Sequence, residues 1–164
     1  MTTGEYEGCT VYLYSIPHYR LMDSAVVQKQ TFEFNLPDSL ALYELQVKKE
    51  KADFYYITLP LVAGEGDVKV AMGEKVTTWG TPSNDRLQDF LLSVENFYIE
   101  NVKAKKTQQE MVEGFRVFLQ KQVNANLNSP VSAYILATYR SRFIAEDYTL
   151  FKNKIVADYR KLLE

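Results

Sequence analysis

The spacing of apolar residues along this chain changes from two to about 3.6 residues within the stretch Trp79–Asp85. Before it, apolar and polar residues alternate in short runs, as they do on half-buried strands. After it, apolar residues recur at steps of three and four, as on one face of an amphipathic helix. We therefore predict an α+β chain with an antiparallel β part over residues 1–80 and a helical part over residues 81–164, packed together as one structural unit.

The β part is predicted to hold about seven strands. The clearest alternation runs from Thr31 to Leu36, which places Phe32 and Phe34 on a buried face and Glu33 and Asn35 outward. Pro60 predicts that its strand stops there or lies at a sheet edge. Strands at spacings of about ten residues favour an antiparallel sandwich or curled sheet. The predicted strands cover about residues 10–14, 23–27, 31–36, 42–47, 54–59, 67–72 and 76–79, with Phe32, Phe34, Tyr43, Leu45, Val68 and Val70 in the core.

The helical part is predicted to be a bundle of about four helices. One helix from Pro82 to Leu127 would span about 69 Å at 1.5 Å per residue, which exceeds the roughly 40 Å diameter of a domain of this size. We therefore place a break at residues 103–107, followed by a second helix antiparallel to the first. Ser129 and Pro130 predict the start of a third helix that runs to about Tyr139. A final helix is expected from about Ala145 onward and includes Ile155 on its apolar face.

The junction between the two parts carries the only candidate binding residues. Thr81 is predicted to be a helix N-cap, with Pro82 at the first helical position. Ser83, Asn84 and Asp85 follow and allow two interpretations. They are capping and first-turn residues, or their polar groups form a contact for an anion or a partner at a helix N-terminus.

Charge and composition exclude several function classes. The chain has 19 basic and 21 acidic residues and a formal net charge of -2, which gives no electrostatic case for nucleic acid or for anionic membranes. No apolar run approaches the roughly 20 residues that cross a bilayer, so we expect no membrane span. The N-terminus also lacks the basic-then-apolar order of a signal peptide.

The pattern of reactive residues predicts neither catalysis nor a cofactor. Cys9 is the single cysteine, so it has no partner for an internal disulfide or for CxxC dithiol chemistry, and we expect it to be packed in the core. His18, the single histidine, is expected to be exposed in a loop, without companions for a metal site. The spacing of acidic pairs such as Asp85 and Asp89 indicates charges on the surface of a helix. We therefore predict no enzyme activity, no catalytic residue, no metal and no cofactor.

Four motifs taken in order give the chain a family resemblance. They are Val11-Tyr12-Leu13, Asp23-Ser24-Ala25-Val26-Val27, Phe32-Glu33-Phe34 and Gly80-Thr81-Pro82-Ser83-Asn84-Asp85. This order resembles a bacterial domain of unknown function that stands N-terminal to thioredoxin-like or AhpC/TSA domains in envelope thiol-disulfide oxidoreductases. The resemblance covers nearly the whole chain, including the segment from Ser129 to Leu136. Gln30 and Asn35 depart from the family pattern, because they stand where the family usually has glycine.

The resemblance implies a non-catalytic accessory or interaction domain in the periplasm or cell envelope. Its partner would be a thioredoxin-like domain or another envelope protein. No position matches a redox cysteine pair, so the resemblance carries over no catalytic residue. The alternative is a sandwich domain that binds a glycan or a peptide, for which the 12 tyrosines and Trp79 are the supporting feature.

Overall fold

The computed structural model describes residues 2–48, 55–73 and 76–164. The chain forms two compact units, Met1–Asp85 (the first unit) and Arg86–Glu164 (the second unit). Within the described residues, six strands in two antiparallel sheets are followed by five helices. The predicted α+β class, with strands first and helices after the junction, is confirmed.

The first unit contains both sheets. Strands β1 (Thr10–Ile16), β2 (Leu21–Val26), β3 (Ala41–Lys48) and β4 (Tyr55–Ala63) form a four-stranded sheet in the order β2-β1-β3-β4. Strands β5 (Lys69–Met72) and β6 (Val76–Trp79) form a two-stranded sheet. Pro60 lies inside β4 opposite Glu44, so the ladder does not stop at the proline. The edge position predicted from Pro60 is confirmed, since within the described residues β4 pairs with β3 alone.

One hydrophobic cluster joins side chains from both sheets of the first unit. Tyr43 and Leu45 are buried in it, as predicted. Phe32, Phe34, Val68 and Val70, also predicted as core, are half-buried and pack against its outside.

The prediction of a strand at residues 31–36 is wrong, because these residues form no hydrogen-bonded ladder with another strand among the described residues. The structure has a single isolated bridge there, between Gln28 and Thr31, so six strands are formed among the described residues rather than seven. The predicted alternation is nevertheless present: Phe32, Phe34 and Leu36 are half-buried, whereas Glu33 and Asn35 are exposed. Alternation specifies which side chains face the core, but it does not place a neighbouring strand within hydrogen-bond distance. Residues 49–54, which include the first residue of the predicted strand at 54–59, lie outside the described residues.

Helix α1 (Pro82–Lys103) begins in the first unit and continues into the second, and α2 (Gln108–Ala125) follows it. The predicted break between them is confirmed. Thr107 and Glu110 form a reciprocal capping box at the start of α2, and hydrogen bonds from Thr107 lower the pKa of the Glu110 carboxyl. The ring of Phe97 lies 5.3 Å from that of Phe115, and the ring of Phe90 lies 6.4 Å from that of Phe118. Because the lower residue number of α1 pairs with the higher one of α2, the two helices are antiparallel.

The last helices differ in part from the prediction. Helix α3 (Pro130–Thr138) begins at the predicted proline, with Ser129 as its N-cap. The single final helix is wrong: α4 (Ala145–Lys154) ends before Ile155, and a short α5 (Ala157–Arg160) follows. Ile155 is extended and buried, and the Arg160 guanidinium donates to the Asn153 and Ile155 carbonyls. These bonds satisfy carbonyl groups at the end of α4 that a continuous helix would have used. No described helix is both long enough and apolar enough to cross a membrane.

Candidate functional site

The junction places its predicted residues in two different environments. Thr81, Ser83 and Asn84 are buried, with exposed fractions of 2%, 5% and 0%, whereas Asp85 is exposed. The Thr81 hydroxyl accepts a hydrogen bond from the Asn84 backbone N–H at 3.3 Å, so the predicted N-cap is confirmed. All four residues belong to the first unit.

The Asn84 side chain is fully engaged inside the first unit. Its Oδ1 accepts from the Val62 backbone N–H at 3.0 Å, and its Nδ2 donates to the Val62 carbonyl at 2.7 Å. The same Nδ2 donates to the Thr81 hydroxyl at 2.8 Å. Val62 is fully buried, so Asn84 satisfies two backbone groups that have no access to water. The asparagine therefore fastens the first turn of α1 to strand β4.

Ser83 is held by an acidic residue from the turn after β4. The carboxylate of Glu65 accepts from the Ser83 backbone N–H at 3.0 Å and from its hydroxyl at 2.5 Å. A carboxylate at this place complements the positive end of the helix dipole. An external anion at Ser83 would have to compete with Glu65. The suggestion that Ser83, Asn84 and Asp85 contact a partner stays a prediction, and Asp85 is the one of the three whose side chain is exposed.

The single cysteine and the single histidine of the chain lie in different environments. Cys9 is buried in the hydrophobic cluster, as predicted, and His18 is exposed in the turn after β1, as predicted. Neither of them lines the cleft described next. Among the described residues, no group of three or more histidine, cysteine, aspartate or glutamate side chains is placed to hold a metal ion.

An open cleft of about 550 Å³ lies in the first unit, within the usual size range of ligand sites. Beneath it is the four-stranded sheet, whose Leu13, Leu45 and Leu61 are at most 3% exposed. The accessible apolar floor therefore consists of half-buried side chains that pack against these leucines and their neighbours, such as Phe34 and Val70. One wall is the chain from 32 to 38, and the other is formed by residues 66–70 together with Trp79. The cleft therefore lies between the irregular segment that replaces the predicted third strand and the β5–β6 hairpin.

Segment 32–36 lines the cleft with a backbone that forms no ladder. Within the described residues, the backbone N–H and C=O groups of residues 32–36 have no hydrogen-bond partner in the protein. Their side chains alternate between half-buried and exposed, which indicates an extended conformation. An extended chain without a neighbour presents donors and acceptors in the way that an edge strand does.

The turn before this segment is anchored by a carboxylate. Lys29 and Gln30 both have a positive φ, 52° and 59°, a conformation that costs a residue with a side chain roughly 1 kcal/mol or more. The Glu7 carboxylate accepts from both of their backbone N–H groups, at 2.8 and 2.9 Å. Glycine, which the resembled family usually has in place of Gln30, suits this conformation. The turn thereby fixes the direction in which segment 32–36 leaves Thr31.

The rim of the cleft is acidic. Glu33, Asp38 and Asp67 are exposed there and are accompanied by one cation, Lys69. None of these three carboxylates forms an ion pair within the described residues. Trp79 is half-buried in the wall, and its indole N–H donates to no acceptor among the described residues. The cleft thus combines an apolar floor with a negative rim and an aromatic donor.

Parts of this cleft can be predicted from the sequence, but the whole cannot. The Phe-x-Phe alternation predicts core positions, and Trp79 is predicted to stand at the junction. The cleft forms because residues about 30 to 45 positions apart in sequence come together, and spacing along one strand does not predict that. Nothing in the sequence predicts that Glu33, Asp38 and Asp67 lie at one rim, since Asp67 follows Asp38 by 29 positions.

No protein-family model, no curated protein and no solved structure matches this chain. Support for a function therefore comes from the residues of the cleft and from the sequence resemblance described above.

Proposed function

We propose that this chain is a non-catalytic interaction domain of the periplasm or cell envelope that holds a thioredoxin-like domain, or a protein substrate of one. The sequence resemblance supplies the redox context. The observation that carries the interaction role is the cleft of the first unit, with its apolar floor, unpaired backbone and acidic rim. These are features that bind another chain, and the cysteine and the histidine lie outside them.

In this proposal the two sheets are the layers of a small β-sandwich. The shared hydrophobic cluster supports that view, since it takes side chains from β1, β3 and β4 and from Met72 of β5. Segment 32–36 then occupies the place of the predicted third strand without completing a ladder. The cleft is the gap that this incomplete layer leaves.

Site-directed photo-cross-linking in cells of the native organism tests the proposed partner. A photo-reactive phenylalanine derivative replaces Asn35, whose side chain is exposed at the cleft, and a matched control carries it at Asn96, exposed on α1. We expect a cross-linked product at Asn35 that mass spectrometry identifies as a thioredoxin-like protein or as a substrate of one. The same product from Asn96, or a product from Asn35 that is unrelated to thiol-disulfide exchange, would contradict the proposal.

The purified chain is expected to show no disulfide reductase activity. One cysteine cannot cycle between a dithiol and a disulfide, and Cys9 is only 9% exposed. Insulin reduction with dithiothreitol should therefore proceed at the background rate. A Cys9→Ser variant should still fold, as judged by circular dichroism, because serine is close to cysteine in size. Turnover above background that disappears in Cys9→Ser would show that the chain is an enzyme.

Glycan binding is the second candidate function. Trp79 favours it, since a half-buried indole in a cleft wall can stack on a sugar ring. The three carboxylates at the rim of the cleft can accept hydrogen bonds from sugar hydroxyls, but a neutral sugar supplies no counter-charge for them. A peptide uses the unpaired backbone as well as the rim, so the interaction role with a protein segment is the stronger proposal.

A further inference from the structure

We infer that the cleft binds an extended, basic peptide segment by β-strand addition along segment 32–36. This inference deepens the proposed function and rests on it only for the identity of the protein that supplies the peptide. The binding mode itself follows from the backbone, the floor and the rim of the cleft.

The backbone provides the first argument. Residues 32–36 are extended and have N–H and C=O groups without partners in the described protein. At about 3.3 Å per residue they present an edge of about 16 Å, which matches a peptide of five to seven residues. Strand addition satisfies such an edge through main-chain hydrogen bonds, whatever the sequence of the added peptide. The side chains must then decide which peptide is preferred.

The floor and the rim of the cleft favour different kinds of side chain at alternate positions of the peptide. In an added strand, successive side chains point to opposite faces. One set would face the floor of the cleft, where the half-buried Phe34 and Val70 offer apolar surface, and aliphatic side chains suit that face. The other set would face solvent beside the rim.

The rim selects cations for the second set. Three carboxylates, Glu33, Asp38 and Asp67, stand against the single cation Lys69, so the local charge is three negative minus one positive, or -2. Because these carboxylates have no ion-pair partner in the described residues, each is available to a lysine or arginine of the peptide. Such charges steer encounter and select the partner more than they add affinity.

The test is a fluorescence titration of the 164-residue chain with a defined peptide. The probe is acetyl-Lys-Val-Lys-Val-Lys-Val-Lys-amide, and the signal is the emission of Trp79, the single tryptophan, which lines the cleft. Saturable binding is expected. Absence of saturable binding, confirmed by calorimetry, would overturn the inference.

Backbone methylation distinguishes strand addition from charge attraction. Two further peptides carry N-methyl groups either on all lysine amides or on all valine amides. Alternate amides of a strand point to opposite edges, so only one of the two sets is used by segment 32–36. We expect one methylated peptide to bind at least about tenfold more weakly, because two or three backbone hydrogen bonds are lost, and the other to bind as before. Equal binding of the two peptides would overturn strand addition even if the affinity is high.

Charge reversal tests the rim. A Glu33→Lys, Asp67→Lys variant is expected to weaken the lysine peptide by about tenfold and to favour a peptide with glutamate in place of lysine. A Glu95→Lys, Glu100→Lys variant makes the same change in net charge on the exposed face of α1 and should leave the affinity unchanged. If both variants weaken binding of the lysine peptide equally, the effect comes from the net charge of the chain and not from the rim of the cleft. Saturable binding of cellohexaose without binding of the lysine peptide would overturn the peptide inference in favour of a glycan.

These results separate the two proposals. If the peptide binds as described but Asn35 cross-links to no thiol-disulfide protein, the binding mode stands and the redox context fails. If Asn35 cross-links to a thioredoxin-like protein but the peptide does not bind, the proposed function stands and strand addition fails.

Discussion

Replacing Asn84 by alanine is expected to lower the free energy of unfolding of the first unit by about 3 kcal/mol. The side chain makes three hydrogen bonds, two of them to the backbone of Val62, which is fully buried. Alanine leaves the Val62 N–H and C=O without partners and without water, and each such group costs about 1–3 kcal/mol. Urea denaturation followed by Trp79 fluorescence measures the effect, since the single tryptophan lies in the first unit.

Asn96→Ala is the matched control for this prediction. Asn96 is an exposed residue of α1, and removal of its amide should change stability by less than about 0.5 kcal/mol. If Asn84→Ala proves as mild as Asn96→Ala, then Asn84 does not fasten α1 to β4. A Ser83→Ala, Asn84→Ala variant that kept its stability but lost a partner would instead identify these residues as a contact site.

The behaviour of the junction shows how far local sequence rules reach. Thr81 as N-cap and Pro82 at the first helical position were predicted because both effects depend on neighbouring residues only. The hydrogen bonds between Asn84 and Val62, and the bond that the Ser83 hydroxyl donates to Glu65, join residues 22 and 18 positions apart. Nothing in the spacing of the apolar residues identifies those pairs. For this reason the sequence predicts the N-cap at Thr81, whereas only the structure reveals the hydrogen bonds that link helix α1 to strand β4.

The cleft shows the corresponding limit for the candidate site. The alternation at Phe32 and Phe34 correctly predicted which side chains turn toward the core. It could not predict that the backbone between them stays unpaired, because pairing depends on where β5 and the four-stranded sheet lie. A strand pattern without a ladder therefore belongs here to the wall of a cleft, and β-propensity alone does not separate this outcome from a paired strand.

The break in the last helix has a similar cause. Ile155 is buried, as its place on the apolar face of the predicted final helix suggests. The chain is nevertheless extended at Ile155, and the Arg160 guanidinium donates to the carbonyls of Asn153 and Ile155 there. Such a side-chain contact competes with helix propensity, and the spacing of apolar residues does not predict it.

Gly80→Val is expected to destabilise the first unit by about 3 kcal/mol. Gly80 has φ +106°, a backbone conformation in which a β-branched residue is strongly disfavoured. A Cβ atom at this position would also lie 2.9 Å from the Asp67 carbonyl oxygen, closer than normal contact allows. Backbone strain and steric conflict therefore act together.

Gly66→Val separates these two contributions. Gly66 has nearly the same φ, +105°, but a Cβ atom there would meet no other atom within 4 Å. We expect it to cost about 1–2 kcal/mol, the strain alone, and to leave the junction intact. The difference between the two variants in urea denaturation then measures the conflict with Asp67. If both variants lose the same stability, the turn at Asp67 yields to the new side chain, and Gly80 is required only for its backbone conformation.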